Sequence, residues 1–396
     1  SVTVQAHGVG DGRPGPDKGG FERIATFANY TNNADIGDQT VSEIVAATAD
    51  GMMLVYTDSE LEEIGLVDIS DAADPRPAGK IAVGGEPTSV AVLGDDLALV
   101  GVNTSESFTD TSGELVVVDL ASGTIVRSVE LGGQPDSVAI SPDGRYVAVA
   151  IENERNEEIC VGGASSGAPV PEDGPEQPGD VSEDACEDAG GAVGVLPQTV
   201  PEIGNPPGYL AIVDIASGWS LSTVDLTGLS GYAPEDPEPE YVDINAGNLA
   251  VVSLQENNHI VVVDLAAGAV VADFSAGTVD LDAVDAHEDG AIALTDSLAG
   301  VPREPDAVSW VPGVCGGEDA IATANEGDLF GGSRGFTLFC QDGSVAYDSG
   351  SAFEAIAVAH GHYPEDRSEN KGSEPESVEF GSFAGDGYLF VGSERG

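Results

Sequence analysis

A repeat constrains this sequence more than any other feature. Five segments share one opening: EPTSVAVLGDDLALVG from Glu86, QPDSVAISPDGRYVAVA from Gln134, EPEYVDINAGNLAVVS from Glu238, EPDAVSWVPGVCGGEDAIATA from Glu304 and EPESVEFGSFAGDGYLFVG from Glu374. A looser sixth copy, SEIVAATADGMMLVYT, starts at Ser42. Each reads as a strand, a Gly/Asp/Asn turn and a second strand, which is the pattern of a hairpin. A second element follows at a regular offset: IGLVDISD from Ile64, ELVVVDLASG from Glu114, YLAIVDIASG from Tyr209 and HIVVVDLAAG from His259. Each is a β-branched run closed by an acidic residue and a turn, with a further short strand such as TIVRSVEL after it. Four short strands in units of roughly 45 to 70 residues are the signature of propeller blades. Helical periodicity is nearly absent. The expected fold is therefore all-β, a seven-bladed β-propeller of four-stranded antiparallel blades, with six repeats visible and the last incomplete.

The domain plan follows from the same spacing. Residues 1–20 read as a flexible N-terminal segment and 21–396 as one propeller domain. A low-complexity stretch at about 153–207, including GGASSGAPVPEDGPEQPGD, has too little apolar surface to order itself and is expected as a surface insertion. A second irregular stretch runs from Ala352 to Gly372. The last repeat reaches Gly396 about two strands into a blade, so the ring either closes with six units or continues beyond the sequence in hand. The segment GFERIATFAN, from Gly20, is a candidate outer strand for that closure.

Charge narrows the function classes. Seventy Asp plus Glu stand against thirteen Lys plus Arg, a net charge of −57 over 396 residues. A hydrophobic fraction of 41% argues for a folded chain under an acidic shell rather than for disorder. Salt screens such a shell, so a salt-rich habitat such as that of haloarchaea is expected, with structure lost at low ionic strength; circular dichroism across a salt series checks this. Nucleic acid is excluded as a partner by the lack of clustered Lys and Arg, and cations are the natural partners. No run of 18 apolar residues is present to span a membrane. The four cysteines, Cys160, Cys186, Cys315 and Cys340, pair locally in the simplest reading as Cys160–Cys186 and Cys315–Cys340, in keeping with export. Zinc is the weaker reading, since no CxxC occurs.

The first strand of a propeller blade lines the central channel. That places Glu86, Asp136, Glu238, Glu240, Glu304, Asp306, Glu374 and Glu376 around one axis. Second strands end in further polar clusters: IENE at Ile151–Glu154, QENN at Gln255–Asn258 and ANEGD at Ala324–Asp328. Converging carboxylates raise each other's pKa or recruit a cation, and hard oxygen ligands select Ca²⁺ or Mg²⁺. The metal candidates are Glu238, Glu240, Glu256, Asp306, Glu326, Asp328, Glu374 and Glu376. The bland alternative is that acidic turn residues are simply abundant in so acidic a chain, and it holds for any one of them taken alone. Asn257, Asn258, Asn325, Arg367, Lys371 and Arg395 are candidate contacts for an anionic ligand, because basic groups among carboxylates can hold a phosphate or a carboxylate. Arg303 and Arg334 stand out similarly, and a structural ion pair is the competing reading for each. GxSxG, Walker and GxGxxG loops and HExxH are absent.

Taken together, PEPEYV, LQENNHIVVVDL, REPDAVSW, IATANEGD, GSVAYDSGSAFE, EDRSENKGSEPESVEFG and YLFVGSER resemble the bacterial and archaeal surface propellers called choice-of-anchor I domain proteins, which are similar to YncE-like and LVIVD-repeat propellers. The resemblance covers the chain from about Ile44 to Arg395. It implies an exported, extracellular or cell-surface domain, at times joined to phosphoesterase domains, with distant likeness to propellers that use calcium in the channel. Three functional readings follow: a binding or scaffold module that takes Ca²⁺, a calcium-dependent phosphoesterase, and a subunit of an extracellular filament or surface lattice. The first leads, because no nucleophile, base and orienting group can be placed together from sequence, and a fold does not fix a function.

Overall fold

The computed structural model describes residues 21, 23–155, 158–162, 164, 191–195, 205–327 and 329–395. Five four-stranded antiparallel sheets follow one another along the chain. Blade 1 is β1 (Val45–Ala47), β2 (Met53–Asp58), β3 (Glu63–Asp68) and β4 (Arg76–Ala82). Blade 2 is β5 (Glu86–Leu93), β6 (Leu97–Asn103), β7 (Gly113–Asp119) and β8 (Thr124–Glu130). Blade 3 begins with β9 (Pro135–Ile140) and β10 (Tyr146–Ile151). The hairpin β11 (Glu158–Gly162) and β12 (Gly191–Val195) interrupts it before β13 (Tyr209–Asp214) and β14 (Ser220–Asp225) complete the sheet. Blade 4 is β15 (Pro239–Ile244), β16 (Leu249–Leu254), β17 (His259–Asp264) and β18 (Ala269–Ser275). A separate hairpin, β19 (Thr278–Val284) with β20 (Asp296–Pro302), leads to blade 5: β21 (Val308–Cys315), β22 (Glu318–Asn325), β23 (Gly335–Cys340) and β24 (Val345–Asp348). A sixth sheet has two strands, β25 (Pro375–Phe383) and β26 (Asp386–Ser393). The all-β propeller architecture is thus as expected from the repeats. Of the seven blades expected, the described residues supply five complete ones and the two strands of a sixth, besides the hairpins β11–β12 and β19–β20.

Each blade packs on both faces, which explains its internal gradient. Middle strands read as continuous apolar runs because neither face meets water. All six residues of β10, YVAVAI, are buried, whereas nearly all of the outermost strand β8, TIVRSVE, is exposed. The apolar cores accordingly lie between successive units. Val100 and Val116 pack with Ile64 between blades 1 and 2, Leu115 with Val147 between 2 and 3, and Ile212 with Val252 between 3 and 4. Ile260 packs with Trp310 between blades 4 and 5, and Ala322 with Val378 between blade 5 and the sixth sheet. Side chains also stitch neighbouring first strands together. Ser89 Oγ accepts the Val138 N–H at 3.0 Å, Asp243 Oδ2 the Trp310 N–H at 2.8 Å, and Ser309 Oγ the Phe380 N–H at 3.1 Å.

Two expectations need adjusting. GFERIATFAN is not a strand among its described residues; instead the Phe21 ring stands edge-on to Phe383, Tyr388 and Phe390 of the sixth sheet at 5.0–5.2 Å. Aromatic contact, not ladder pairing, is what joins this segment to that sheet. The irregular stretch from Ala352 contains the one α-helix of the described residues, α1 (Ala352–His360), whose Ala-rich sequence favours a helix; it ends at Gly361 in the left-handed conformation, φ 75°. Of the two disulfides, Cys315–Cys340 joins the end of β21 to the end of β23, while the Cys160–Cys186 pair lies outside the described residues. So do residues 1–20 and most of the 153–207 insertion.

Candidate functional site

The repeat opening has a register, and the register builds the site. Its third residue is Glu43, Thr88, Asp136, Glu240, Asp306 or Glu376 in the six units, and all six line a single cavity of about 280 Å³. Five of those six positions are acidic. Glu326, just beyond β22, adds another carboxylate, and Gln255, just beyond β16, donates its amide to Glu326 Oε2 at 3.2 Å. The first residue of the opening lies ahead of the regular strand in the last two units and meets different surroundings. Glu304 and Glu374 both take left-handed backbone there, φ 44° and 46°, an unfavourable region for a side chain with a Cβ. Their carboxylates are tied down. That of Glu304 accepts the N–H groups of Phe330 and Gly332, and that of Glu374 accepts Arg367 Nε at 2.6 Å and Arg395 Nε at 3.4 Å.

Electrostatics separates the cavity from its rim. Burial and then the charges of Glu43 and Glu154 push the Asp136 carboxyl up to about 8. Burial also lifts Glu240 well above the carboxylate range, helped by Glu152, Asp136 and Asp306, and Glu240 and Glu152 share a hydrogen bond. Asp306 is raised by burial and by Glu326, Asp136 and Glu376, against which Lys371 acts in the opposite sense. Glu376 is raised by burial, Glu326 and Glu43. These groups repel one another across a shared space. At the rim, oxygens of Glu326, Glu374 and Glu394 lie within 4.8 Å of one another. Three cations meet them there: Lys371 Nζ is 3.5 Å from Glu326, Arg367 binds Glu374, and Arg395 Nη2 is 2.9 Å from Glu394. Burial opposes ionisation of Glu374, but Arg367 outweighs it and holds the carboxyl below its usual range. Burial and a hydrogen bond with Glu374 push Glu394 up to about 7.

The family model of the choice-of-anchor I domain matches residues 43–169, 218–331 and 329–396. The chain belongs to this family. The internal stretch left unmatched, 170–217, falls largely on the insertion within blade 3. No curated protein matches. Among solved structures, a chain of the Kuenenia stuttgartiensis hydrazine synthase is similar at 19% identity, covering 57% of this chain and 64% of that one, with a TM-score of 0.30. A likeness that loose, spanning less than two thirds of the other chain, contributes nothing on activity.

Within this choice-of-anchor I domain the residues singled out from sequence divide into three groups. Glu240, Asp306, Glu326 and Glu376 meet in the cavity. Glu374, Arg367, Lys371 and Arg395 meet at the rim, where the cations are engaged by carboxylates. The others serve the framework or its neighbourhood. Asn257 accepts the Glu238 N–H and donates to the carbonyls of Tyr232, Ala233 and Asp236. Asn258 accepts the Glu304 N–H and donates to the Gly277 carbonyl. Asn325 is bonded to the hydroxyls of Thr323, Ser333 and Thr337. These three amides hydrogen-bond within the fold. Glu238 and Glu256 are buried outside the cavity lining, and their charges act on Glu152. Asp328 lies outside the described residues. Glu43 is the cavity residue that sequence reasoning passed over. Its signal was present one residue upstream of the looser repeat, since VSE from Val41 aligns with the EPE from Glu374 and puts Glu43 in the acidic third position.

Proposed function

We propose that this domain is a surface-associated binding module whose central cavity takes a divalent cation, calcium in the first place. The observation that carries the reading is the cavity lining: five of six structural units contribute a carboxylate at the same repeat position, with Glu326 beside them. Several carboxylates in one enclosed space cannot all ionise without a counter-charge. The cations that counter them, Lys371 at Asp306 and Arg395 at Glu376, already serve rim carboxylates. Oxygen-only donors of this kind suit Ca²⁺. About 280 Å³ gives room for an ion and several waters of about 30 Å³ each. Part of the coordination shell is therefore water, and the affinity belongs in the range of about 10⁻⁴–10⁻³ M typical of extracellular calcium modules. The disulfide Cys315–Cys340 accords with an exported location.

Titration calorimetry with calcium chloride tests the reading. The wild-type chain is expected to bind in that range, and Glu240→Gln/Asp306→Asn to bind at least about tenfold more weakly, with an unchanged circular dichroism spectrum. A folded wild-type chain that gives no binding heat, or a double variant that binds as tightly as wild type, overturns it.

A further inference from the structure

Arg334 lies outside both the cavity and the rim, yet it holds the segment that supplies two of the rim's cations. It is 2% exposed and sits at φ 55° directly before β23, eight residues after Glu326 (334 − 326 = 8). Its guanidinium reaches four acceptors on three stretches of chain. Nη1 donates to the Asp285 carbonyl at 2.8 Å and to Glu354 Oε1 of α1 at 3.4 Å. Nη2 donates to the carbonyls of Ser368 at 2.8 Å and Asn370 at 3.0 Å. Those last two carbonyls matter most. Ser368 directly follows Arg367, and Asn370 directly precedes Lys371. The segment has no slack at its end, because a Cβ on Gly372 would fall 2.0 Å from Glu354 Oε1 and 3.1 Å from Arg334 Cδ. One side chain therefore spans the two halves of the Glu326–Lys371 pair: its backbone closes the loop that begins at Glu326, and its fork grips the loop that carries Lys371.

We propose that Arg334 is a positioning residue for the cation cavity, fixing Lys371 against Glu326 and so setting how strongly the cavity holds a cation. The proposal rests on the cation reading above. Lys371 is an internal competitor, since its ammonium occupies a carboxylate that otherwise faces the bound ion. A planar guanidinium is needed for the task, because it meets several acceptors at fixed angles; a lysine ammonium offers the charge without the fork. Lysine at position 334 would still balance Glu354 but would release the Ser368 and Asn370 carbonyls.

The experiment compares calcium affinity in the wild-type chain, Lys371→Met, Arg334→Lys and the double variant, with circular dichroism confirming the blades. Removing the competing charge is expected to tighten binding about threefold in Lys371→Met. Arg334→Lys is expected to tighten it by a similar factor, and the double variant to match either single one. Simple loss of stability would weaken binding, so it cannot imitate this pattern. Unchanged affinity in Arg334→Lys, or factors that multiply in the double variant, overturns the proposal. A calcium-free readout separates this from failure of the cation reading. Acylation of Lys371, followed by peptide mass spectrometry, is expected to run about tenfold faster in Arg334→Lys, the factor for losing one charge-assisted hydrogen bond. An equal rate overturns the positioning role whether or not calcium binds. If Arg334→Lys does not fold, Gly372→Ala, whose Cβ would crowd Glu354 Oε1 and Arg334 Nη1, disturbs the same grip from the side of the segment, and the same acylation criterion applies.

Discussion

Two groups of carboxylates lie side by side around the central axis, and they differ in what faces them. At the rim, Glu326, Glu374 and Glu394 are met by Lys371, Arg367 and Arg395. In the cavity, Asp136, Glu240, Asp306 and Glu376 mainly meet one another, and burial raises every one of them. Three carboxylate oxygens within 4.8 Å would by themselves make the rim the better metal site. Counting the cations reverses that ranking. A cluster of acids is a cation site only to the extent that the protein has left its charge unanswered, and proximity alone does not measure this.

The largest effects that sharpen or break the contrast come from neutralising one carboxylate on each side. Glu374→Gln deprives Arg367 of its carboxylate partner and Arg395 of one of its two, and is expected to cost about 1–3 kcal/mol, the scale of losing a charge-assisted hydrogen bond partner. Asp306→Asn removes repulsion instead and is expected to stabilise the cation-free chain. Urea unfolding in chelator measures both, and equal destabilisation by the two variants would erase the distinction. Next comes pH. A raised carboxyl holds a proton in the folded state that it loses in the unfolded chain, so between the ordinary carboxylate pKa near 4 and about 8 for Asp136 the fold weakens as pH rises. Glu374 has the opposite sign, and its contribution fades as pH falls through its lowered pKa. Thermal unfolding in chelator from about pH 5 to 8 is expected to show a falling midpoint, with calcium restoring most at the alkaline end, where the cavity is deprotonated. A midpoint that rises over this window would contradict the assignment. The smallest effect is expected from Ser89→Ala, which deprives the Val138 N–H beside Asp136 of its acceptor. It is expected to cost about 1 kcal/mol and to disturb calcium affinity more than the Glu374–Arg367 pair.

The repeat carried a good deal of this. Apolar runs closed by acidic turns set strand order and blade type, and the shared opening points Asp136, Glu240, Asp306 and Glu376 to one axis. What the repeat could not convey was the destination of each acid. Glu304 and Glu374 occupy identical places in the opening, yet one is held by backbone N–H groups of a glycine-rich loop and the other by two arginines. Those partners come from segments without repeat counterparts. Asn257 stands in the QENN cluster as a candidate contact for an anion, but its amide also closes the turn that starts β15, a role visible only once Tyr232, Ala233 and Asp236 are brought beside it. Arg334 carried no local sign of its task, because its four acceptors lie 20 to 49 residues away along the chain.

The placement of the apolar cores between successive units has a consequence for how such a domain changes over generations. Each core is built chiefly by two adjacent units, with Tyr241 of blade 4 reaching the one beyond, so cooperativity runs along the chain as nearest-neighbour coupling. A substitution in one interface is felt by two blades and compensated there, and drift in one interface leaves distant ones untouched. Blade 3 shows the tolerance this brings: its sheet is intact although β11, β12 and the surrounding insertion separate β10 from β13. Duplication or loss of a unit would add or remove interfaces one at a time, which makes unit number itself a quantity that selection can adjust.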